Sequence, residues 1–392
     1  MDTRDFCINV ISDHLSGRDT NVPDDSINWD DVISVFKIHE LCGILYFQCK
    51  SIIPTDYIDA LDQNYAASMY YYSNRIWLED MIKSILTNEM ISFITVKGLN
   101  ISNYYPQPAL RSMGDTDLAV HADDKERVHN ILLESGFQNS SQTNNHEWCY
   151  YYDHMEIELH DNLIYDSIIN QKICIDFFND FWKYVDNGKL NWSFHFLFLV
   201  NHLRKHFMNR GVGIRQFLDI AVLTKNNEEL DWEWIRNELI HLNLWEFAQR
   251  VFFLNSKWFG VEPPVEYSDF GDSFVNEATE LILFNGVFGF DNEENDINSA
   301  INNVIKKNTH ETGFRGFMSR LFPSYDVLEN FNVYAYIRGH KYLLPVAWCH
   351  RAFRSIKNGK AGRNMKLFYN SSFVSKAKVQ NRIDVFEKWG LD

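Results

Sequence analysis

Arg111-Ser-Met-Gly-Asp-Thr-Asp-Leu-Ala-Val120 is the stretch that decides how this chain is read. An Asp-x-Asp that opens an apolar run reads as the start of a β-strand. Strand side chains alternate between faces, so Asp115 and Asp117 point the same way. Carboxylates that close repel each other unless a cation lies between them. Hard oxygen ligands at this spacing suit Mg²⁺, which completes its shell with water and substrate phosphate oxygens. The pattern is half of a two-metal phosphoryl-transfer site. A solvated strand end is the plain structural alternative.

Three neighbouring segments favour the metal reading. Upstream, Ile91-Ser-Phe-Ile-Thr-Val96 reads as a short buried strand closed by Lys97-Gly98. A helical turn between Leu99 and Tyr105 follows, and Pro106 and Pro108 break it. A strand, a glycine turn and a helix start leave backbone N–H groups free for an anion, and Lys97 adds a positive charge there. Downstream, Glu147–Tyr152 and Met155–His160 read as two strands joined by a tight turn at Asp153-His154. On the second strand Ile157 and Leu159 face one side, and Glu156, Glu158 and His160 the other. A third carboxylate on that face completes a metal site and can serve as general base; otherwise it is the polar face of a half-exposed strand.

The third segment, Asn201 to Lys225, carries Arg204, Lys205, Arg210, Arg215 and Lys225 against one acidic residue, Asp219. It reads as a phosphate-facing cluster or as a solvated helix face. His202 and His206 share a helix face. No further zinc ligand and no His-Glu-x-x-His motif accompany them, so zinc is not expected.

Taken in order, Lys97-Gly-Leu, Tyr105-Pro-x-Pro108, Arg111-x-x-x-Asp-x-Asp-Leu118, Ser135-Gly-Phe137, Ile157-Glu-Leu-His160, Asn201-His-x-x-x-His206 and Gly213-Ile-Arg-Gln-x-x-Asp219 resemble an uncharacterised bacterial nucleotidyltransferase family of the polymerase-beta-type superfamily. The resemblance is clear over 89–260 and weaker beyond, through Arg320-Leu-Phe-Pro-Ser324 to Arg354. It implies a small mixed sheet flanked by helices, a nucleoside triphosphate and two Mg²⁺ ions, with Mn²⁺ as a substitute. By the same resemblance Asp115, Asp117 and Glu158 are the catalytic and metal-binding carboxylates. Lys97, Gly98, Arg111, Arg204, Arg210 and Arg215 are the candidates to meet the nucleotide. Lys97-Gly98 stands where the superfamily usually has Gly-Ser or Gly-Gly, which leaves the role of Lys97 open.

The chain has 392 residues, 45% of them apolar, enough for two or three structural units. No apolar run approaches the ~20 residues of a membrane span. No secretory signal is visible in the first residues, which carry Asp2, Asp5 and Asp13. The six cysteines form no Cys-x-x-Cys and fit reduced thiols in a cytoplasmic protein. A net charge of −16 argues against broad nucleic-acid binding. The charge is uneven, however: between Arg338 and Arg382 there are eleven Lys or Arg and no acidic residue. That segment either packs on the acidic remainder of the chain or grips an anionic partner.

Apolar residues at three- and four-residue spacing predict helices over Asp30–Phe47 and Tyr57–Leu86. Ser26-Ile-Asn-Trp-Asp-Asp marks a helix start, Asp123–Glu134 a helix closed by Ser135-Gly136, and Leu230-Asp-Trp another start. Pro263-Pro264 is a probable boundary, and Asp291 to Asn308 a polar connection. The expected fold is α+β: a small mixed-sheet nucleotidyltransferase core at 89–165, inserted between a helical region 1–88, a helical domain 166–262 and a helical C-terminal region 263–392 containing the basic segment 338–382.

The expected activity is Mg-dependent transfer of a nucleoside monophosphate from a triphosphate, releasing pyrophosphate. The acceptor would be a hydroxyl or phosphate on a small molecule, saccharide or peptide. AMP is the first choice of nucleotide, although no residue selects adenine over guanine. The alternatives are a catalytically inactive nucleotide- or protein-binding module of the same fold, and an RNA-directed nucleotidyltransferase using segment 338–382.

Overall fold

The computed structural model describes residues 2–21, 27–139, 148–165, 171–209, 211–284, 318, 321–329, 332–357, 362, 365 and 376–391. Arg210, Glu147, the stretch 291–308, and Lys360 and Arg363 of the basic segment lie outside them. Two compact units emerge, 1–207 with 211–289, and 208–210 with 290–392. The segments 1–88, 89–165 and nearly all of 166–262 therefore pack within the first unit.

Four helices come first: α1 (Thr3–Ser16), α2 (Trp29–Ile38), α3 (Cys42–Cys49) and α4 (Thr55–Asn88). Local chemistry sets their ends. Asp2 caps α1 by accepting from the Asp5 N–H, and Asn28 caps α2 by accepting from the Asp30 N–H. The single helix expected over Asp30–Phe47 is broken. Glu40 takes a left-handed conformation (φ 55°), and the Leu41 N–H turns back to the Phe36 carbonyl at 2.8 Å. This is a helix C-terminus made without glycine. The Glu40 carboxylate is held from outside by Ser112 (2.6 Å) and Arg215.

The sheet follows, built from β1 (Phe93–Val96), β2 (Asp115–Val120), β3 (Gln138–Asn139), β4 (Trp148–Tyr152) and β5 (Met155–His160). Helix α5 (Gly98–Ser102) follows β1, and α6 (Lys125–Glu134) follows β2. The strand order is β1-β2-β5-β4-β3; β2 and β5 run parallel and every other pair antiparallel. This is the small mixed sheet amid helices expected for a nucleotidyltransferase core. Alternation then assigns the faces. Leu118, Val120, Ile157 and Leu159 pack with Leu78, Ile82 and Leu86 of α4 and with Val128 and Leu132 of α6. The long helix of the N-terminal region thus helps to form the floor of the core. The opposite face carries the acidic residues.

The rest of the first unit comprises α7 (Lys172–Asn179), a hairpin of β6 (Val185–Asp186) and β7 (Lys189–Leu190), and α8 (Trp192–Asn209), α9 (Ile214–Asn226), α10 (Trp232–His241), α11 (Trp245–Phe259) and α12 (Gly271–Phe284). The hairpin corrects an all-helical expectation for 166–262. Its turn is Asn187-Gly188, both at positive φ, a sequence that favours a two-residue hairpin. In the second unit, helices Tyr325–Leu328 and Leu344–Lys357 share a small core of Leu328, Tyr334, Ile337 and Ala347. Among the described residues no helix is long and apolar enough to cross a membrane.

Leu159 is fully buried between α4, α6 and the sheet. Leu159→Ala is expected to lower the unfolding free energy by about 2–5 kcal/mol, read from urea denaturation. A loss below 0.5 kcal/mol would mean that the sheet does not depend on this helix layer.

Candidate active site

Parallel pairing sets Asp115 opposite Glu156 and Asp117 opposite Glu158. Paired residues share a face, so both Asp residues, both Glu residues and His160 crowd one side of two neighbouring strands. Ligand atoms of Asp117, Glu158 and His160 all lie within 4.8 Å of one another. His160 Nε2 stands 3.2 Å from Asp117 Oδ1 and 3.5 Å from Glu158 Oε2. Of the three carboxylates expected to converge, Asp117 and Glu158 fall in one group with His160; Asp115 shares their face and is not part of that group.

Lys97 faces the same group. Val96, the last residue of β1, pairs with Asp117, so the next residue emerges beside that carboxylate. The Lys97 Nζ lies 2.9 Å from Asp117 Oδ2. Its backbone is unusual: φ 57° and ψ −128° in a residue with a side chain. Such a conformation costs on the order of 1–3 kcal/mol and persists only where its surroundings impose it. Here they do. The Lys97 N–H donates to His195 Nε2 at 2.9 Å, and the Gly98 carbonyl accepts from Arg111 at 3.1 Å. Arg111 is in turn locked to Asp219 by two 2.8 Å hydrogen bonds, and the Tyr105 hydroxyl donates to the same carboxylate at 2.8 Å.

The charges follow from this packing. Burial alone would raise the Asp117 carboxyl, but Lys97 and His160 override it and hold it well below the usual carboxylate range. Asp115 has weaker compensation; burial and the neighbouring Asp117 push it up to about 6. Burial would lower His160, yet its hydrogen bonds to Asp117 and Glu158 raise it to about 9. His195 is pushed down to about 3 by burial, with Lys97 and Arg111 adding to the effect. A neutral His195 is what allows its Nε2 to accept from the Lys97 N–H.

Three of the candidate nucleotide-contacting arginines have protein partners, and Arg210 lies outside the described residues. Arg111 directs its donors to Asp219 and Gly98, which makes it a brace for the turn. Arg215 bonds Glu40 and Ser112. Arg204 is buried, with its Nε 3.4 Å from Asn201 Oδ1 and Cys174 as its electrostatic neighbour. Each carries a charge that found a protein acceptor, which a count of cations along a helix cannot show. His202 and His206 do share a face of α8, with their Nε2 atoms 2.9 Å apart. Among the described residues they join no cluster able to hold a metal.

Three residues went unnoticed as parts of the site. Arg75, in the middle of α4, donates to Thr116 Oγ1, the Glu156 carbonyl and the Gly114 carbonyl at 2.8–3.0 Å. It ties together the starts of β2 and β5 and so fixes where Asp115 emerges. His195 lies in the apolar run of α8, and Asp219 is the one acid in a basic stretch. In each case the legible signal is a charged or polar residue at a core position. Beside Gly114 opens a cleft of about 350 Å³, lined in part by Tyr71, Tyr72, Arg75, Arg111 and Ser112.

The donor set fits a hard divalent cation. Asp115, Asp117 and Glu158 offer carboxylate oxygens, as Mg²⁺ requires, and a buried acidic cluster with an imidazole is already assembled. His160 Nδ1 is buried and has no hydrogen-bond partner among the described residues. Lys97 and His160 each already engage one oxygen of Asp117.

Two outcomes are expected. Asp219→Asn removes the charge that holds Arg111, and breaking such a buried pair should cost about 3–5 kcal/mol, seen as a lowered melting temperature. An unchanged melting temperature would show that the Lys97-Gly98 turn does not need this brace. The second concerns pH. The Asp115 carboxyl is raised from 3.8 to about 6 in the folded chain, so folding binds its proton more tightly. Its contribution to stability is therefore present below pH 3.8 and lost as pH rises through 6. In metal-free buffer Asp115→Asn should be more stable than wild type at pH 7, by up to about 3 kcal/mol, with the gap closing near pH 4. A gap of constant size across that range would contradict this origin.

Comparison with known proteins returned no curated protein and no solved structure. A family model, described as uncharacterised nucleotidyltransferase, matches residues 25–260. The match takes in more than half of the chain, including the sheet, the carboxylate face and the turn opposite it. The chain belongs to the uncharacterised nucleotidyltransferase family.

Proposed function

We propose that this protein transfers a nucleoside monophosphate, with AMP as the first choice, from a nucleoside triphosphate to a hydroxyl or phosphate of an acceptor. The observation that carries the reading is the gathering of Asp115, Asp117 and Glu158 on one face of a family-typical sheet. These residues would hold Mg²⁺. When bound, the ion would neutralise triphosphate charge and make an acceptor oxygen more nucleophilic.

The chain's own groups account for the rest. An acceptor oxygen forms a bond to the α-phosphorus while the bond from that phosphorus to the bridging oxygen breaks, releasing pyrophosphate. Glu158, whose side chain is more exposed than that of Asp117, would take the proton of an acceptor hydroxyl. His160 donates to Asp117 and keeps that carboxylate aligned. We assign the cleft beside Gly114 to the acceptor. Its guanidinium groups are already paired with protein, while Asn64, Ser68, Tyr71 and Tyr72 offer hydroxyl and amide partners. A cytoplasmic site of action belongs to the same reading and agrees with six free cysteines.

A second reading, a binding module without transfer, is favoured by the engagement of both Asp117 oxygens by Lys97 and His160. One experiment separates the two. The four α-³²P-labelled nucleoside triphosphates are incubated with the protein, Mg²⁺ and cell extract as a source of acceptors. Label moving to a new species, together with pyrophosphate, is expected from wild type and at least 100-fold less from Asp117→Asn. Binding of triphosphate with no transfer, in wild type as in the variant, would establish the binding module instead.

A further inference from the structure

The family resemblance leads to an expectation of two divalent ions, and the geometry around Asp117 does not agree with it. A two-metal site needs both ions within about 3.5–4 Å of each other, bridged by shared carboxylates. Asp117 is the carboxylate shared by the Glu158–His160 group and by Lys97. One of its oxygens, Oδ2, is 2.9 Å from the Lys97 ammonium. The other, Oδ1, is 3.2 Å from His160 Nε2, and Asp117, Glu158 and His160 each offer a ligand atom within 4.8 Å of the others.

Lys97 is not a loose surface cation that can swing aside at no cost. Its side chain is 17% exposed, and its backbone holds a left-handed φ of 57°. The turn is gripped at the Lys97 N–H by His195 and at the Gly98 carbonyl by Arg111, itself fixed by Asp219. The conformation aims the ammonium at Asp117. A side chain at this position pays for a strained backbone, and a charge placed against the carboxylates is what it delivers. Lys97 also feels Asp115 and Glu158, so its charge is shared by the whole acidic face. A divalent ion held at Oδ2 would stand against that ammonium, with twice the repulsion of a pair of single charges. An ion on the Oδ1 side would be clear of the ammonium and would meet the His160 imidazole, a group able to hold a metal.

We infer that the site is built for one divalent ion, with the Lys97 ammonium supplying the positive charge that a second ion would otherwise bring. The inference rests on the nucleotidyl-transfer reading above.

Mn²⁺ is the probe, titrated into the full-length chain at physiological ionic strength. Bound ions are counted by equilibrium dialysis and their coupling is read by electron paramagnetic resonance. Counts are taken as the difference from Asp117→Asn, which corrects for weak binding to the acidic surface. One Mn²⁺ per chain is expected in wild type and in Lys97→Arg. Lys97→Met should take two, with a spin-coupled signal. Two ions in wild type, or one in a folded Lys97→Met, would overturn the inference while leaving metal-dependent transfer standing. No Mn²⁺ in wild type would overturn both, so the two failures are distinguishable. Should Lys97→Met fail to fold, wild type and Lys97→Arg decide, and a second ion in either refutes the proposal.

Discussion

The contact between the Lys97 ammonium and the Asp117 carboxylate, 2.9 Å across, is the interaction on which the acidic face depends. Two parallel strands in register bring Asp115, Asp117, Glu156 and Glu158 to one side of the sheet. Like charges this close oppose folding, and burial sharpens their repulsion because the surroundings screen poorly. The ammonium answers it from one side and His160 from the other. What keeps the ammonium there is a chain of contacts from α8 and α9. His195 holds the Lys97 N–H, while Asp219 holds Arg111, which holds the Gly98 carbonyl. A helical region remote in sequence thus acts directly on the geometry of the carboxylates.

The two faces of the sheet are supported differently. On the apolar side, α4 and α6 press Leu78, Ile82, Leu86, Val128 and Leu132 against the strands. Arg75 reaches through this layer and satisfies Thr116 and the Glu156 and Gly114 carbonyls instead of a carboxylate. Burying a guanidinium is tolerable only when its donors are met. Those donors lock the starts of β2 and β5 to each other, next to Asp115. The apolar floor and the pinned strand ends hold the two strands that carry the acidic face, which suits a site whose groups must meet within a few tenths of an ångström.

Much of this was legible in the residues. The alternation of Met155 to His160 separates Ile157 and Leu159 from Glu158 and His160, and the structure keeps that division. Asp115 opens a strand that runs to Val120. Where expectation and structure part, the reason is tertiary. The helix expected over Asp30–Phe47 breaks at Glu40, a residue with no helix-breaking chemistry of its own, whose carboxylate is held by Ser112 and Arg215. The Asn187-Gly188 hairpin carries its own turn signal, but strands of two residues between helical segments leave no alternation to read.

The sequence by itself determined the period-two pattern that puts Asp115 with Asp117 on one face of their strand, and Glu156 and Glu158 with His160 on one face of theirs, because strand geometry leaves a side chain only two directions. It also determined that a lysine, not a serine or glycine, follows the first strand. Only the tertiary structure decided what the cations do. Arg111 and Arg215 read equally well as phosphate ligands until the fold sets Asp219 and Glu40 within hydrogen-bond reach of them. A guanidinium binds whichever planar anion the packing presents, carboxylate or phosphate, and its position in the chain does not say which. The same holds for Lys97. Its charge is written in the sequence, but its place against Asp117 comes from an antiparallel strand pair and a strained turn held by helices more than ninety residues away.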